Sequence, residues 1–122
     1  MTLFHSERLK DVDPRLVKLV TDYAAHVDVV VICGHRGESE QNACYENGTS
    51  KAKFPYSAHN KLPSIGVDIS PTFDGGKTIP WRDLDKWVKF CEDFESYANR
   101  NGVRILGGHN FKFKDYPHWQ LV

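Results

Sequence analysis

Residues 80–102 read PWRDLDKWVKFCEDFESYANRNG and predict the longest helix of the chain. Pro80 is typical of a helix start and Gly102 of a helix end. Apolar side chains recur between them at helical spacing, so we expect one face of this helix to lie in the core together with Trp81. The predicted apolar stripe consists of Leu84, Trp87, Val88, Cys91, Phe94 and Ala98.

A helix with one apolar face needs a second layer to cover that face, and short β-branched runs elsewhere in the chain predict a sheet. Helical patterns also begin at Pro14 and at Glu38, and Gly48 ends the second of them. Helices and strands do not alternate as they do around a parallel sheet. The predicted class is therefore α+β, with helices packed on a small, mainly antiparallel sheet. The predicted strands are residues 27–33, 65–70, 103–106 and 118–122.

The composition is that of one domain of ordinary size, which we expect to span residues 1–122. Sixteen basic and sixteen acidic residues give a formal net charge of zero, which argues against nucleic-acid binding by charge. No apolar run approaches the roughly 20 residues that span a bilayer, so we expect no integral membrane association. Residues 1–10 are too polar for a secretory signal peptide. A monomer is the default expectation.

The three cysteines are Cys33, Cys44 and Cys91, and they form no Cys-x-x-Cys pair. Their odd number and wide spacing argue against a disulfide framework and against a cysteine-rich zinc knuckle. Each lies in an apolar pattern, so we expect three buried free thiols.

Two histidines and one aspartate have the chemistry of a metal site. His59, Asp68 and His118 could supply two imidazoles and a carboxylate to one Zn²⁺ ion, leaving a fourth position for water, as in catalytic zinc sites. Asp115, three residues before His118, could lie near that water. The spacing alone leaves an alternative open, in which the histidines lie in loops and Asp68 is a turn or capping residue.

Several short motifs occur in an order that resembles a known family. They resemble the zinc peptidases that include D-Ala-D-Ala carboxypeptidases, vancomycin-resistance dipeptidases and phage L-alanyl-D-glutamate endopeptidases. The start of the chain is similar to the phage endolysin subgroup, and the resemblance covers nearly the whole chain. The motifs are Phe4-x-Ser6-Glu7-Arg8-Leu9, Gly34-His35-Arg36 with Glu40-Gln41, Ser57-x-His59, Pro63-Ser64-x-x-Val67-Asp68, Gly107-Gly108 and Asp115-Tyr116-Pro117-His118.

The resemblance implies a fold like that of Hedgehog domains and D,D-peptidases, and a role for each matching residue. His59, Asp68 and His118 match the zinc ligands, Asp115 the general base, and Arg36 the arginine that binds the substrate carbonyl. Ser57 and Gln41 match residues expected beside the ligands or the substrate. His109 stands where the family often has Trp, which makes it a candidate pocket residue and a rival metal ligand.

The implied function is that of a phage endolysin, a zinc peptidase that cleaves the L-alanyl-D-glutamate bond of the peptidoglycan stem peptide. Such an enzyme is made in the host cytoplasm and acts on the bacterial cell wall. Two alternatives remain at this point. One is a D,D-carboxypeptidase or dipeptidase of the cell wall. The other is a non-catalytic zinc-containing binding domain, against which the presence of Asp115 argues.

Overall fold

The computed structural model describes residues 1–122 and contains three helices and a five-stranded sheet. The strand order is β1-β2-β3-β5-β4, in which only β1 and β2 run parallel. The α+β prediction is confirmed, and the short strand β1 makes the sheet mixed. The helices are α1 (Pro14–Tyr23), α2 (Glu38–Glu46) and α3 (Leu84–Arg100), and the strands are β1 (Leu3–Phe4), β2 (Val29–Cys33), β3 (Gly66–Pro71), β4 (Ile105–Gly107) and β5 (His118–Leu121).

One face of the sheet carries the hydrophobic core. Helices α1 and α3 supply most of the other apolar side chains of this core, and Phe94 of α3 meets Trp119 of β5 at a centroid distance of 4.9 Å. Because side chains alternate along a strand, Asp68 and His118 project from the opposite face. The core residues of the sheet are Val29, Val31, Val67, Ile69, Trp119 and Leu121.

Helix α3 begins at Leu84, four residues later than predicted. Asp83 is its N-cap and accepts a hydrogen bond from the backbone N–H of Lys86 at 3.3 Å. Carboxylates are favoured at this position because they satisfy N–H groups that have no partner within the helix. Trp81 therefore lies on the turn before the helix, where it is 59% exposed, and the prediction that it belongs to the core was wrong.

Two members of the predicted apolar stripe also lie at the surface. Leu84 is 55% exposed in the first turn of α3, and Val88 is 39% exposed. Val88 follows Trp87 by one residue, a rotation of about 100° that takes its side chain away from the sheet. Phe90, which the stripe omitted, is buried instead. None of the three helices has the length and hydropathy that crossing a membrane requires.

Candidate active site

The register of three adjacent strands places three side chains of types that can bind a metal in one row. Asp68 of β3 pairs with His118 of β5 on one side and with Cys33 of β2 on the other. The register of β2 shifts between Val31 and Cys33, and this irregularity brings Cys33 opposite Asp68. Residues separated by 35 and 50 positions in sequence are thus cross-strand neighbours.

His59 reaches this row from a short 3-10 turn, Ala58–Asn60, in the loop before β3. Ser57 is the N-cap of the turn, and its hydroxyl accepts a hydrogen bond from the backbone N–H of His59 at 3.2 Å. The imidazole is only 2% exposed, and its Nδ1–H donates to the carbonyl oxygen of Gly34 at 2.7 Å. A carbonyl oxygen only accepts, so the proton is on Nδ1 and Nε2 carries a lone pair.

Three lone pairs therefore converge on one point. His118 donates from Nε2–H to Gln120 Oε1 at 2.8 Å, which leaves a lone pair on its Nδ1. This Nδ1 lies 3.1 Å from Asp68 Oδ1 and 3.2 Å from Nε2 of His59. Nε2 of His59 in turn lies 3.1 Å from Asp68 Oδ1. With both imidazoles neutral, these three atoms are all acceptors, and they repel one another unless a proton or a metal ion lies between them.

The spacing of these atoms fits a tetrahedral metal ion. Zn–N and Zn–O bonds of about 2.0–2.1 Å place neighbouring ligand atoms of a tetrahedron about 3.3–3.4 Å apart. The observed separations of 3.1–3.2 Å come within a few tenths of an ångström of that value. The hydrogen bonds to Gly34 and Gln120 hold both imidazoles in the tautomers that a metal requires.

Cys33 belongs to the same neighbourhood. Ligand atoms of Cys33, His59 and Asp68 lie within 4.8 Å of one another, so these three residues form a group that could hold a metal ion. The Cys33 thiol is half-buried, and its sulfur accepts a hydrogen bond from Nε of Arg36 at 3.3 Å. The apolar pattern around Cys33 predicts a buried thiol, whereas the side chain is only half-buried and lies beside His59 and Asp68. Its position just before Gly34-His35-Arg36 was the only signal that pointed to the site.

The ionisation of the row follows from its geometry. Burial of the His59 ring disfavours its charged form, but the hydrogen bond and charge of Asp68 outweigh this and raise the pKa of His59 to about 10. Burial of Asp68 raises the pKa of its carboxyl group, but the hydrogen bonds with His118 and His59 lower it by more. The pKa of Asp68 therefore lies well below its usual value. When no metal is bound, a proton between His59 and Asp68 therefore takes the place of the cation.

Arg36 is anchored by three neighbours and is 11% exposed. Its Nη2 lies 3.6 Å from Oδ2 of Asp68, and its Nη1 donates to Oε1 of Gln41 at 3.1 Å. Gln41 is fully buried, and its Nε2 donates to Ala52 O and Ser50 Oγ. The guanidinium is thus fixed between the metal-binding row and α2, and it also lines the open cleft described below.

Asp115 is brought to the row by close backbone packing. Its N–H donates to the carbonyl oxygen of Gly108 at 2.9 Å, and its own carbonyl oxygen accepts from the N–H of His118 at 3.1 Å. A side chain at residue 108 would collide with the Asp115 carbonyl, which explains the glycine there. Partial burial of the carboxyl group and the charge of Asp68 raise the pKa of Asp115 above its usual value.

His109 lies outside this arrangement. Its ring packs against Trp119 at a centroid distance of 5.2 Å, and its Nε2 lies 3.5 Å from a carboxylate oxygen of Glu95 on α3. Trp119 points to the core face of the sheet, so His109 is on the side opposite His118. The structure therefore gives His109 no place among the metal-binding atoms or the cleft residues.

Most of the predicted site residues line one open cleft of about 950 Å³, and Gln41 does not. The predicted residues that line the cleft are Arg36, Ser57, His59, Asp68, Asp115 and His118. Further walls come from the loop of residues 48–58, from Phe111–Lys114 and from Trp81–Leu84 around α3. The three converging side chains face a cavity large enough for an extended peptide.

Comparisons with known proteins agree with this geometry. Residues 3–119 match the family described as phage L-alanyl-D-glutamate peptidase. The fold is similar to that of the L-Ala D-Glu endopeptidase ChiX from Serratia marcescens, with a TM-score of 0.80 and 24% sequence identity. That similarity covers 99% of this chain and 90% of the other. The chain is thus a peptidase that belongs to the phage L-alanyl-D-glutamate peptidase family.

Proposed function

We propose that this peptidase hydrolyses the L-alanyl-D-glutamate bond of peptidoglycan with one zinc ion, and that residues 1–122 form a single catalytic domain. The ligands in this proposal are Nε2 of His59, Oδ1 of Asp68 and Nδ1 of His118. The convergence of the three ligand atoms within 3.2 Å carries the proposal, because one metal ion bound at their centre would pair with all three at once, whereas a proton pairs with only two. Two imidazoles and one carboxylate are a ligand set typical of catalytic zinc.

His118 is preferred over Cys33 as the third ligand for two reasons. Its Nδ1 is 3.1–3.2 Å from the other two ligand atoms, whereas Cys33 is included only within a limit of 4.8 Å. The Cys33 thiol is also engaged by two other partners, since its sulfur accepts the Nε–H of Arg36 and its S–H donates to Gly34 O at 3.7 Å. We expect Cys33→Ser to keep bound zinc and His118→Ala to lose it, as measured by elemental analysis of the purified proteins.

His59, Asp68 and His118 would hold the zinc ion, which would supply polarisation of the scissile carbonyl and a water with its pKa lowered toward about 7. Asp115 accepts the proton of the attacking water and returns it to the leaving amine of D-glutamate. Its raised pKa suits this role, since a base that accepts a proton and then releases it works best when its pKa lies closer to neutrality.

Arg36 stabilises the negative charge that develops on the carbonyl oxygen. Its guanidinium is held by Gln41, Cys33 and Asp68, so little reorganisation is needed when the charge appears. Part of its charge already interacts with Asp68, and the free N–H groups on the cleft side are the ones available to substrate.

The products of digestion test the proposal directly. Purified muropeptides are incubated with the protein and analysed by mass spectrometry. We expect a new N-terminus on D-glutamate, loss of activity after chelation, and recovery when zinc is added back. Release of free D-alanine would instead identify a D,D-carboxypeptidase, and full activity of the metal-free protein would contradict the metal assignment.

A further inference from the structure

An exposed tryptophan forms part of the cleft wall. Trp81 is 59% exposed and lines the same cleft as His59, Asp68 and His118. Large aromatic side chains are normally buried, so an exposed one beside a reaction centre calls for an explanation.

The ring of Trp81 is held in position from behind. It stacks on Trp87 with a centroid distance of 5.6 Å and an interplanar angle of 25°. Trp87 is 2% exposed, and its Nε1–H donates to the carbonyl oxygen of Pro80 at 2.9 Å. One face of Trp81 is therefore supported by the core while the ring remains accessible, which makes it a rigid apolar platform.

Cationic side chains line the cleft on more than one side. Arg82 lines it beside Trp81. The loops that provide Lys51 and Lys114 form another part of the wall, where Lys51 lies over the ring of Phe113 at 5.6 Å. An acidic peptide is attracted to these cationic groups, and the ring of Trp81 offers an apolar face that suits an uncharged group.

The chemistry of the substrate supplies such a group. In peptidoglycan the L-alanine of the stem is joined through a lactyl ether to N-acetylmuramic acid, so the sugar lies one residue from the scissile bond. One extended residue spans only about 3.3–3.6 Å. Any protein that binds this bond must therefore also accommodate a sugar ring close to its reaction centre. The D-glutamate side of the bond carries the carboxylates.

We propose that the exposed face of Trp81 binds the N-acetylated sugar ring of the glycan strand, with the acidic stem peptide directed toward Lys51 and Lys114. This inference rests on the proposed function. A pyranose ring has a face of C–H groups that packs on an aromatic ring, and burying that face removes apolar surface from water. A protein with this subsite distinguishes wall-linked stems from free peptide.

Two substrates that differ only in the sugar test the inference. One is N-acetylmuramyl stem peptide, and the other is the same stem peptide with an acetyl group in place of the muramyl group. We expect Trp81→Ala to lower the ratio of kcat/KM for the muramyl over the acetyl substrate by about tenfold, mainly through KM. Trp81→Phe keeps an aromatic face and should keep most of the ratio.

Phe73→Ala is the matched control, because Phe73 is 64% exposed but does not line the cleft. It should leave the ratio unchanged. A ratio that Trp81→Ala also leaves unchanged would overturn the inference while the proposed function stands. Cleavage of neither substrate by the wild-type protein would instead reject the proposed function.

Binding to the wild-type protein gives a readout that needs neither catalysis nor a variant. N-acetylglucosamine oligomers serve as the probe, and acrylamide quenching of tryptophan fluorescence is the measurement. Trp87 and Trp119 are buried, so quenching reports mainly on Trp81, and the probe should protect it. Absence of protection at saturating probe would overturn the inference. Dimerisation that Trp81→Ala abolishes, with no change in the substrate ratio, would assign the face to a second copy of the chain.

Discussion

Gly66 lies directly against the imidazole of His118. A methyl group at residue 66 would lie 3.2 Å from Cε1 of His118 and 3.0 Å from Cβ of Ala58. Both distances are shorter than ordinary van der Waals contact, so an added carbon would push its neighbours by a few tenths of an ångström. Gly66 thus helps to set the position of a proposed metal ligand.

Gly66→Ala should therefore weaken zinc binding. We expect the zinc dissociation constant to rise by about tenfold, because His118 must shift by a few tenths of an ångström from its place beside Asp68. Competition with a chromogenic chelator measures the constant. Gly37→Ala is the control, since the nearest atom to its added methyl group is 4.0 Å away. Equal affinities in both variants would mean that the loop at Ala58 absorbs the change.

Asp115→Asn tests the general base. The amide keeps the size of the carboxyl group but cannot accept a proton, so kcat should fall by about 10²–10⁴-fold. Zinc content and melting temperature should stay at wild-type values, because the three proposed ligands are unchanged. The acidic limb of the pH–rate profile, expected above the ordinary aspartate pKa of about 3.9, should disappear. Asp22→Asn, at an exposed pair with Lys18, is the isosteric control. Loss of zinc in Asp115→Asn would make Asp115 a ligand.

His59→Ala and His109→Ala separate the two histidines that the sequence left in competition. His59→Ala should remove bound zinc and lower the melting temperature, since a ligand present at a thousand times its dissociation constant stabilises the native state by about 4 kcal/mol. His109→Ala should retain one zinc per chain, because its ring contacts Trp119 and Glu95 instead of the cleft. Elemental analysis of the two purified variants measures their zinc content. Loss of zinc from His109→Ala alone would reverse the assignment.

The stability of the metal-free, chelated protein should depend on pH in a way that the stability of the zinc-bound protein does not. In the metal-free state the pKa of His59 is raised to about 10, so its protonated form stabilises the fold. That contribution is complete below the unfolded-state pKa of about 6.5 and is lost as the pH rises through 10. The melting temperature of the chelated protein should fall across this interval. His59→Gln, measured under the same conditions, should flatten the curve, and a flat curve for the wild type would contradict the predicted coupling to Asp68.

Gln41→Leu tests how Arg36 is held in place. The change removes the acceptor of Arg36 Nη1 and of Asn60 Nδ2, and it leaves Ala52 O with the Ser50 hydroxyl as its remaining donor. We expect the free energy of unfolding in urea to fall by about 1–3 kcal/mol. The kcat/KM should fall about tenfold, with zinc content unchanged, because the guanidinium loses its alignment. Wild-type kcat/KM in a folded variant would show that Cys33 and Asp68 are sufficient to hold Arg36.

Much of the local structure follows from sequence patterns. The core of α3 is predicted from the spacing of Trp87, Cys91, Phe94 and Ala98, and these four side chains are buried. The strands that carry Asp68 and His118 were predicted to within a few residues. The pattern was wrong at Trp81 because the helix starts only after the Asp83 cap, and at Val88 because its side chain points about 100° away from that of Trp87.

The sequence by itself determined which residues have metal chemistry, because residue type and order need no folding to be read. It could not determine which atoms meet. Cys33 joins the site through a shift in strand register, and His109 leaves it because its ring packs on the core face of Trp119. The strand register, and the face of the sheet on which a side chain lies, depend on pairings between residues far apart in the chain. Those pairings are fixed only when the whole sheet and its core have formed.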